Sequence, residues 1–137
     1  MVIVDATVLA DFFIGSIERQ AAANRLLIED SDWVSPSLWR YELGNALRSG
    51  VRSKDFDLDE TAAVGHLGNA DSLIVETIEV LDGQHILKLA LKLGLTMYDA
   101  SYVWAAKTRG LKLRTRDSDI LKFCPDVALP MPGMESR

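Results

Sequence analysis

Met1-Val2-Ile3-Val4-Asp5-Ala6-Thr7-Val8-Leu9 opens the chain, and three β-branched residues in an unbroken apolar run stop there at a carboxylate. Such a run lacks the alternation of a half-exposed strand and reads as a central strand covered on both faces. Asp5 then stands at the C-terminal mouth of that strand, the edge at which open α/β sheets bind their ligands.

Outward from this strand, the sequence predicts a short helix from Ala6 to Phe13 ending at Gly15. A second helix, capped by Ser16, runs to about Glu29 with Ile17, Ala21, Leu27 and Ile28 as its apolar stripe. A strand is expected at Trp33-Val34. Ser35-Pro36 reads as a helix start, serine capping and proline filling the first turn of a helix over residues 37–49. On that helix Leu38, Glu42 and Asn45 share a face, while Trp39, Leu43, Ala46 and Leu47 form the apolar one. A polar connection over 50–60 leads to a helix over about 59–71. Residues 73–81 have mixed periodicity and read as loop plus a short extended piece. Helices follow over 84–93 and 98–109, stopped by Gly94 and Gly110, then a half-exposed strand over 111–115, a short helix over 120–123, and a strand near 127–129. The stretch from about 130 to 137 reads as a frayed tail. Strands separated by helices predict an α/β fold: a three-layer α/β/α sandwich on a mainly parallel sheet of four or five strands, spanning 1–137 as a single domain.

The 137 residues are 48% hydrophobic and 26% charged, enough to bury a core without staples, and the one cysteine, Cys124, excludes an internal disulfide. No apolar stretch approaches the roughly 20 residues that cross a bilayer, and nothing resembles a secretory signal, so a cytoplasmic protein without membrane contact is expected. A net charge of -5 excludes a general nucleic-acid coat. It leaves room for a nuclease whose acids gather around metal ions.

Four carboxylates stand out by position: Asp5 after the first strand, Glu42 on the helix after the second, Asp99 in the first turn of its helix, and Asp117 after the last clear strand. In a parallel sheet strand ends and the starts of the following helices share one edge, so the four should converge. Two unit charges about 4 Å apart repel by roughly 4 kcal/mol at an effective dielectric near 20. The group must therefore hold protons or cations, and an all-oxygen set favours Mg²⁺ or Mn²⁺ over zinc. Each acid also has a plainer reading: Asp5 and Asp99 as helix-capping residues, Glu42 as a partner for surface arginines, Asp117 or its competitor Asp119 as the cap of the short helix.

Val4-Asp5-Ala6-Thr7-Val8-Leu9, Tyr41-Glu42-Leu43-Gly44-Asn45-Ala46-Leu47, Tyr98-Asp99-Ala100-Ser101-Tyr102 and Leu113-Arg114-Thr115-Arg116-Asp117 together resemble the PIN-domain ribonucleases, in particular the VapC toxins of toxin-antitoxin pairs. The resemblance runs from residue 2 to about 129. It implies a metal-dependent endoribonuclease with one or two Mg²⁺ or Mn²⁺ ions, the quartet Asp5, Glu42, Asp99 and Asp117, a homodimeric state, and a cognate antitoxin laid across the site. On that reading Asp5, Asp99 and Asp117 hold metal, Glu42 joins directly or through water, and Thr7, Asn45, Thr115 and Asp119 are auxiliary. Attack by water leaves a 5′-phosphate and a 3′-hydroxyl. Arg40, Arg114 and above all Arg116 are the candidate RNA contacts. Asp11, His66 and His85 are expected at the surface, and Trp39, Trp104 and Phe12 in a core or a dimer interface. Competing readings are an idle fold kept for partner binding, and an aspartate-based phosphatase, for which Thr7 occupies the place of a needed second acid.

Overall fold

Residues 1–134 are described by the computed structural model. In chain order they form β1 (Val2–Val4), α1 (Ala6–Ile14), α2 (Ile17–Glu29), β2 (Trp33–Pro36), α3 (Trp39–Arg52), α4 (Glu60–Leu73), β3 (Ile74–Ile78), α5 (Gly83–Leu93), α6 (Met97–Arg109), β4 (Leu113–Arg114), α7 (Ser118–Phe123) and β5 (Ala128–Leu129). The strands make one sheet in the order β3-β2-β1-β4-β5, and every neighbouring pair is parallel.

β1 is central, as its apolar run requires. Side chains alternate across a strand, so Val2 and Val4 enter one core with Leu9, Leu26, Trp33, Trp39 and Leu43. Ile3 enters the other with Val34, Tyr102, Val103 and Leu113. Helices α1 to α4 supply the first core, α6 and α7 the second, and α5 packs through Ile86 and Ala90 against Ala100 of α6. The arrangement is the three-layer α/β/α sandwich expected from the order of elements.

Several local expectations are corrected. Ser35-Pro36 closes β2 instead of opening a helix: Ser35 and Pro36 pair with Thr77 and Ile78 of β3, and the Ser35 hydroxyl donates to the Val4 carbonyl at 2.7 Å. Proline is tolerated there because the next amide, that of Ser37, bonds toward β3, so the proline nitrogen faces the β1 side, where pairing has already ended. Helix α3 therefore starts at Trp39, with no side-chain cap. The α2 stripe is rotated: Ala22, Ala23 and Leu26 are buried, whereas Ile17 and Ile28 are exposed. Residues 74–78 form a full edge strand, whose period was hidden because a charged residue, Glu76, stands between the buried Ile74 and Ile78. The part of the expected frayed tail that is described, residues 130–134, is packed: Met131 is buried in the first core and Met134 lies against it; residues 135–137 lie outside the described part.

Asp11 is 3% exposed, not a surface residue. His66 is half-buried against the Phe13 ring, 5.1 Å between centroids. His85 is exposed as expected, although Asp82 lies beside its ring at 2.6 Å.

Candidate active site

The site is built where β1 and β4 end. Asp5 follows the last residue of β1 and caps α1: its Oδ1 accepts the amides of Thr7 at 3.1 Å and Val8 at 3.3 Å, together with the Thr7 hydroxyl. Its Oδ2 accepts the hydroxyl of Thr115 from the end of β4. Capping and a functional role thus coincide, since the loop that exposes helix amides to a carboxylate is also the one that opens onto the sheet edge. Burial pushes the Asp5 carboxyl up, against the pull of those hydrogen bonds, and the charge of Asp117 adds to the rise.

Thr115 joins two acids. Besides donating to Asp5, its Oγ1 accepts the amide of Asp117 at 2.9 Å. Asp117, the acid favoured over Asp119, caps α7 by accepting the Ile120 amide on Oδ1 at 3.0 Å. Asp119 is exposed in the first turn, yet its charge is felt by Asp99.

Asp99 sits in the first turn of α6, its amide donating to the Thr96 hydroxyl at 3.1 Å. Burial, then repulsion from Asp117 and Asp5, raises its carboxyl to about 6. Glu42, half-buried on α3, accepts the Tyr102 hydroxyl on Oε1 at 2.7 Å. Burial lifts its pKa too; the Tyr102 bond opposes that, and the charges of Asp5 and Asp99 add to it. The four acids therefore share one electrostatic field. They do not form a preassembled cage: among the described residues no three His, Cys, Asp or Glu side chains stand as a ready metal-ligand group.

Six ion pairs and a His85–Asp82 contact occur among the described residues, and none involves Asp5, Glu42, Asp99 or Asp117. Four carboxylates without an ion-pair partner among the described residues fit a hard divalent ion, which would offset their mutual repulsion.

The remaining candidates divide. Thr7 and Thr115 touch Asp5 directly. Asn45 is exposed one turn from Glu42, beside a cleft lined by Leu38, Tyr41, Glu42 and Tyr98. All three arginines are already engaged: Arg40 with Asp71 at 2.9 Å, Arg114 with the Pro130 carbonyl, Arg116 with Asp11 at 2.7 Å. Trp39 is fully buried and its Nε1 donates to Thr77, so it offers no platform for a base. Sequence reading missed the bond from Tyr102 to Glu42, although its spacing of three from Asp99 puts both on one side of α6. It also missed Asp11, whose signal was a lone acid in an otherwise apolar helix.

The comparisons agree with this architecture. The family model described as PIN domain matches residues 2–124. Ribonuclease VapC3 of Pyrobaculum aerophilum is 29% identical over 134 residues, covering 93% of this chain and 98% of that one. Exonuclease VapC9 of the same organism is 37% identical over 84 residues, and the aligned part spans only 59% of either chain. Among solved structures, PAE2754 of P. aerophilum superposes with a TM-score of 0.73 at 29% identity, covering 92% of this chain and 81% of that one. A toxin-antitoxin complex from Klebsiella pneumoniae, at 17% identity, shares the fold with a TM-score of 0.70 over 94% of this chain and 96% of that one. With its sheet order, its sequence pattern and a family model spanning nearly its whole length in accord, the chain belongs to the PIN-domain family.

Proposed function

We propose that this protein is a metal-dependent endoribonuclease, the toxin of a type II toxin-antitoxin pair. The observation that carries the reading is the set of four carboxylates at one sheet edge, in one another's field and without an ion-pair partner among the described residues. Similarity to proteins named ribonuclease and exonuclease supports phosphodiester hydrolysis. The Klebsiella neighbour, a toxin-antitoxin complex, supports a protein partner. We also assign the chain a cytoplasmic location, where such a partner and the RNA are met, and a homodimeric state.

Asp5, Asp99 and Asp117 would hold Mg²⁺ or Mn²⁺, with Glu42 joining directly or through water. When bound, the ion supplies a water acidic enough to attack a phosphodiester and charge to stabilise the leaving oxygen. The protein's own part is orientation. Thr7 and Thr115 fix both oxygens of Asp5. Tyr102 holds one oxygen of Glu42, leaving Oε2 to accept a hydrogen bond from the attacking water and align it. The Thr115 hydroxyl ties the Asp117 backbone to Asp5.

Purified protein incubated with mixed RNA tests the reading. Cleavage with Mn²⁺, its loss with EDTA and in Asp5→Asn, and products bearing 5′-phosphate and 3′-hydroxyl ends are expected. No metal-dependent cleavage, with Asp5→Asn indistinguishable from the parent, would leave a fold kept for partner binding. The phosphatase reading is weaker because the position that needs a second acid holds Thr7, whose hydroxyl donates to Asp5.

A further inference from the structure

Two acids are buried among the described residues, Asp5 and Asp11, and the proposed chemistry uses only the first. Asp11 lies on α1, 3% exposed, and both its oxygens are taken by one guanidinium: Nε of Arg116 reaches Oδ2 at 2.7 Å and Nη2 reaches Oδ1 at 3.1 Å. A bidentate pair of this kind fixes orientation as well as distance. Lifting Arg116 onto a phosphate would strand a buried carboxylate without a partner, which a protein interior tolerates poorly.

Arg116 is the residue between Thr115 and Asp117, and its own backbone amide donates to the Thr7 hydroxyl at 3.4 Å. The segment 115–117 is thus fastened to the corner between β1 and α1 at three successive points: Thr115 to Asp5, the Arg116 amide to Thr7, and the Arg116 side chain to Asp11. The first two are single bonds to groups at the mouth. The third is charged and two-pronged, its carboxylate end is buried, and it anchors in helix α1.

We propose that Asp11 and Arg116 are a positioning pair that clamps the strand-end segment 115–117 onto α1 and so sets the gap between the carboxylates of Asp5 and Asp117. The Asp117 role rests on the nuclease reading above; the clamp itself does not. Arg116 then serves the site through its neighbour instead of gripping RNA.

The test uses the full chain with Asp11→Asn, Arg116→Ala, the conservative Arg116→Lys, and Asp11→Asn combined with Arg116→Ala. Three readouts are taken: amide hydrogen exchange in EDTA, Mn²⁺ affinity by electron paramagnetic resonance, and RNA affinity in EDTA. The amides of Arg116 and Asp117 should exchange on the order of tenfold faster in Asp11→Asn while those of β1 and β2 keep their protection, because a lost clamp opens the segment locally. Mn²⁺ should bind about tenfold more weakly in either single variant, as for residues that orient ligands, and no worse in the double. Arg116→Lys should recover part of the loss, and RNA affinity should stay within about twofold throughout. The clamp is overturned if Arg116→Ala weakens RNA binding while Asp11→Asn does not, or if exchange at 116 and 117 is unchanged in both. A parent that binds no Mn²⁺ would sink the nuclease reading, and the exchange data would still decide the clamp.

Discussion

Tyr102 of α6, 2% exposed, donates its hydroxyl to Oε1 of Glu42 on α3 at 2.7 Å. This bond ties the helix carrying Asp99 to the helix carrying Glu42 across the mouth of the sheet. It also stabilises the charged form of a carboxyl whose burial favours the neutral one. Replacing Tyr102 by Phe should therefore raise the Glu42 pKa further. The low-pH limb of the cleavage profile should move to higher pH, and kcat should fall by roughly tenfold with RNA affinity in EDTA unchanged. A profile superimposable on that of the parent would show that Glu42 takes no part in the rate.

Asp99 gives a stability prediction with a definite sign. Its carboxyl stands at about 6 in the folded chain against an ordinary value of 3.8. Between those pH values the folded state holds a proton that the unfolded state has lost, so stability falls as pH rises through this window. The contribution is fully present below about pH 4 and gone above about pH 6. Because Asp99 is half-exposed, the effect is on the order of 1 kcal/mol after solvent screening. In EDTA, Asp99→Asn should melt higher than the parent at pH 7.5 and show less pH dependence between 4 and 6. A variant that melts lower at pH 7.5 contradicts burial and like-charge repulsion as the origin of the shift.

Divalent ions should reverse that order. Adding Mn²⁺ at pH 7.5 should raise the melting temperature of the parent, by about 2.7 kcal/mol of stability at a hundredfold excess over Kd. The same addition should do little for Asp99→Asn or Asp5→Asn. Equal stabilisation of all three proteins would place the ion elsewhere.

Thr115 is fully buried and serves as donor to Asp5 and acceptor for the Asp117 amide. Thr115→Val keeps the shape and removes both bonds, leaving a buried carboxylate oxygen and an amide unsatisfied. A loss of about 1–3 kcal/mol in denaturant unfolding is expected, with weaker Mn²⁺ binding. Thr115→Ser should restore most of both. Failure of serine to rescue metal binding would mean that the methyl group, not the hydroxyl, carries the effect.

Endonucleolytic action is separable from the exonuclease label of one relative. A covalently closed RNA circle has no ends, so an enzyme that needs them leaves it intact. Linearisation of the circle with Mn²⁺, absent in Asp5→Asn, is expected; cleavage of linear RNA alone would assign the activity to chain ends.

The apolar run at residues 2–4, ended by Asp5, was sufficient to place the central strand and its carboxylate, because only a strand covered on both faces dispenses with alternation. The glycines after α5 and α6, at φ +69° and +63°, likewise mark helix ends that local backbone geometry fixes. Ser35-Pro36 was misread because serine followed by proline suits both a helix start and a strand end. The choice fell to the β3 ladder, which is remote in sequence. The edge strand β3 and the true face of α2 were hidden for the same reason, since each depends on which neighbour covers it. Four acids near one sheet edge followed from residue order and the rule that parallel strands end together. Which oxygen each hydroxyl holds did not. The bonds of Thr115 to Asp5, Tyr102 to Glu42 and Arg116 to Asp11 span 110, 60 and 105 residues. Local and periodic forces were enough to place most of the strands and helices and to order the acids along them. Only the tertiary structure decided the partners, because contacts across such separations are set by packing of the completed sheet, not by any neighbour along the chain.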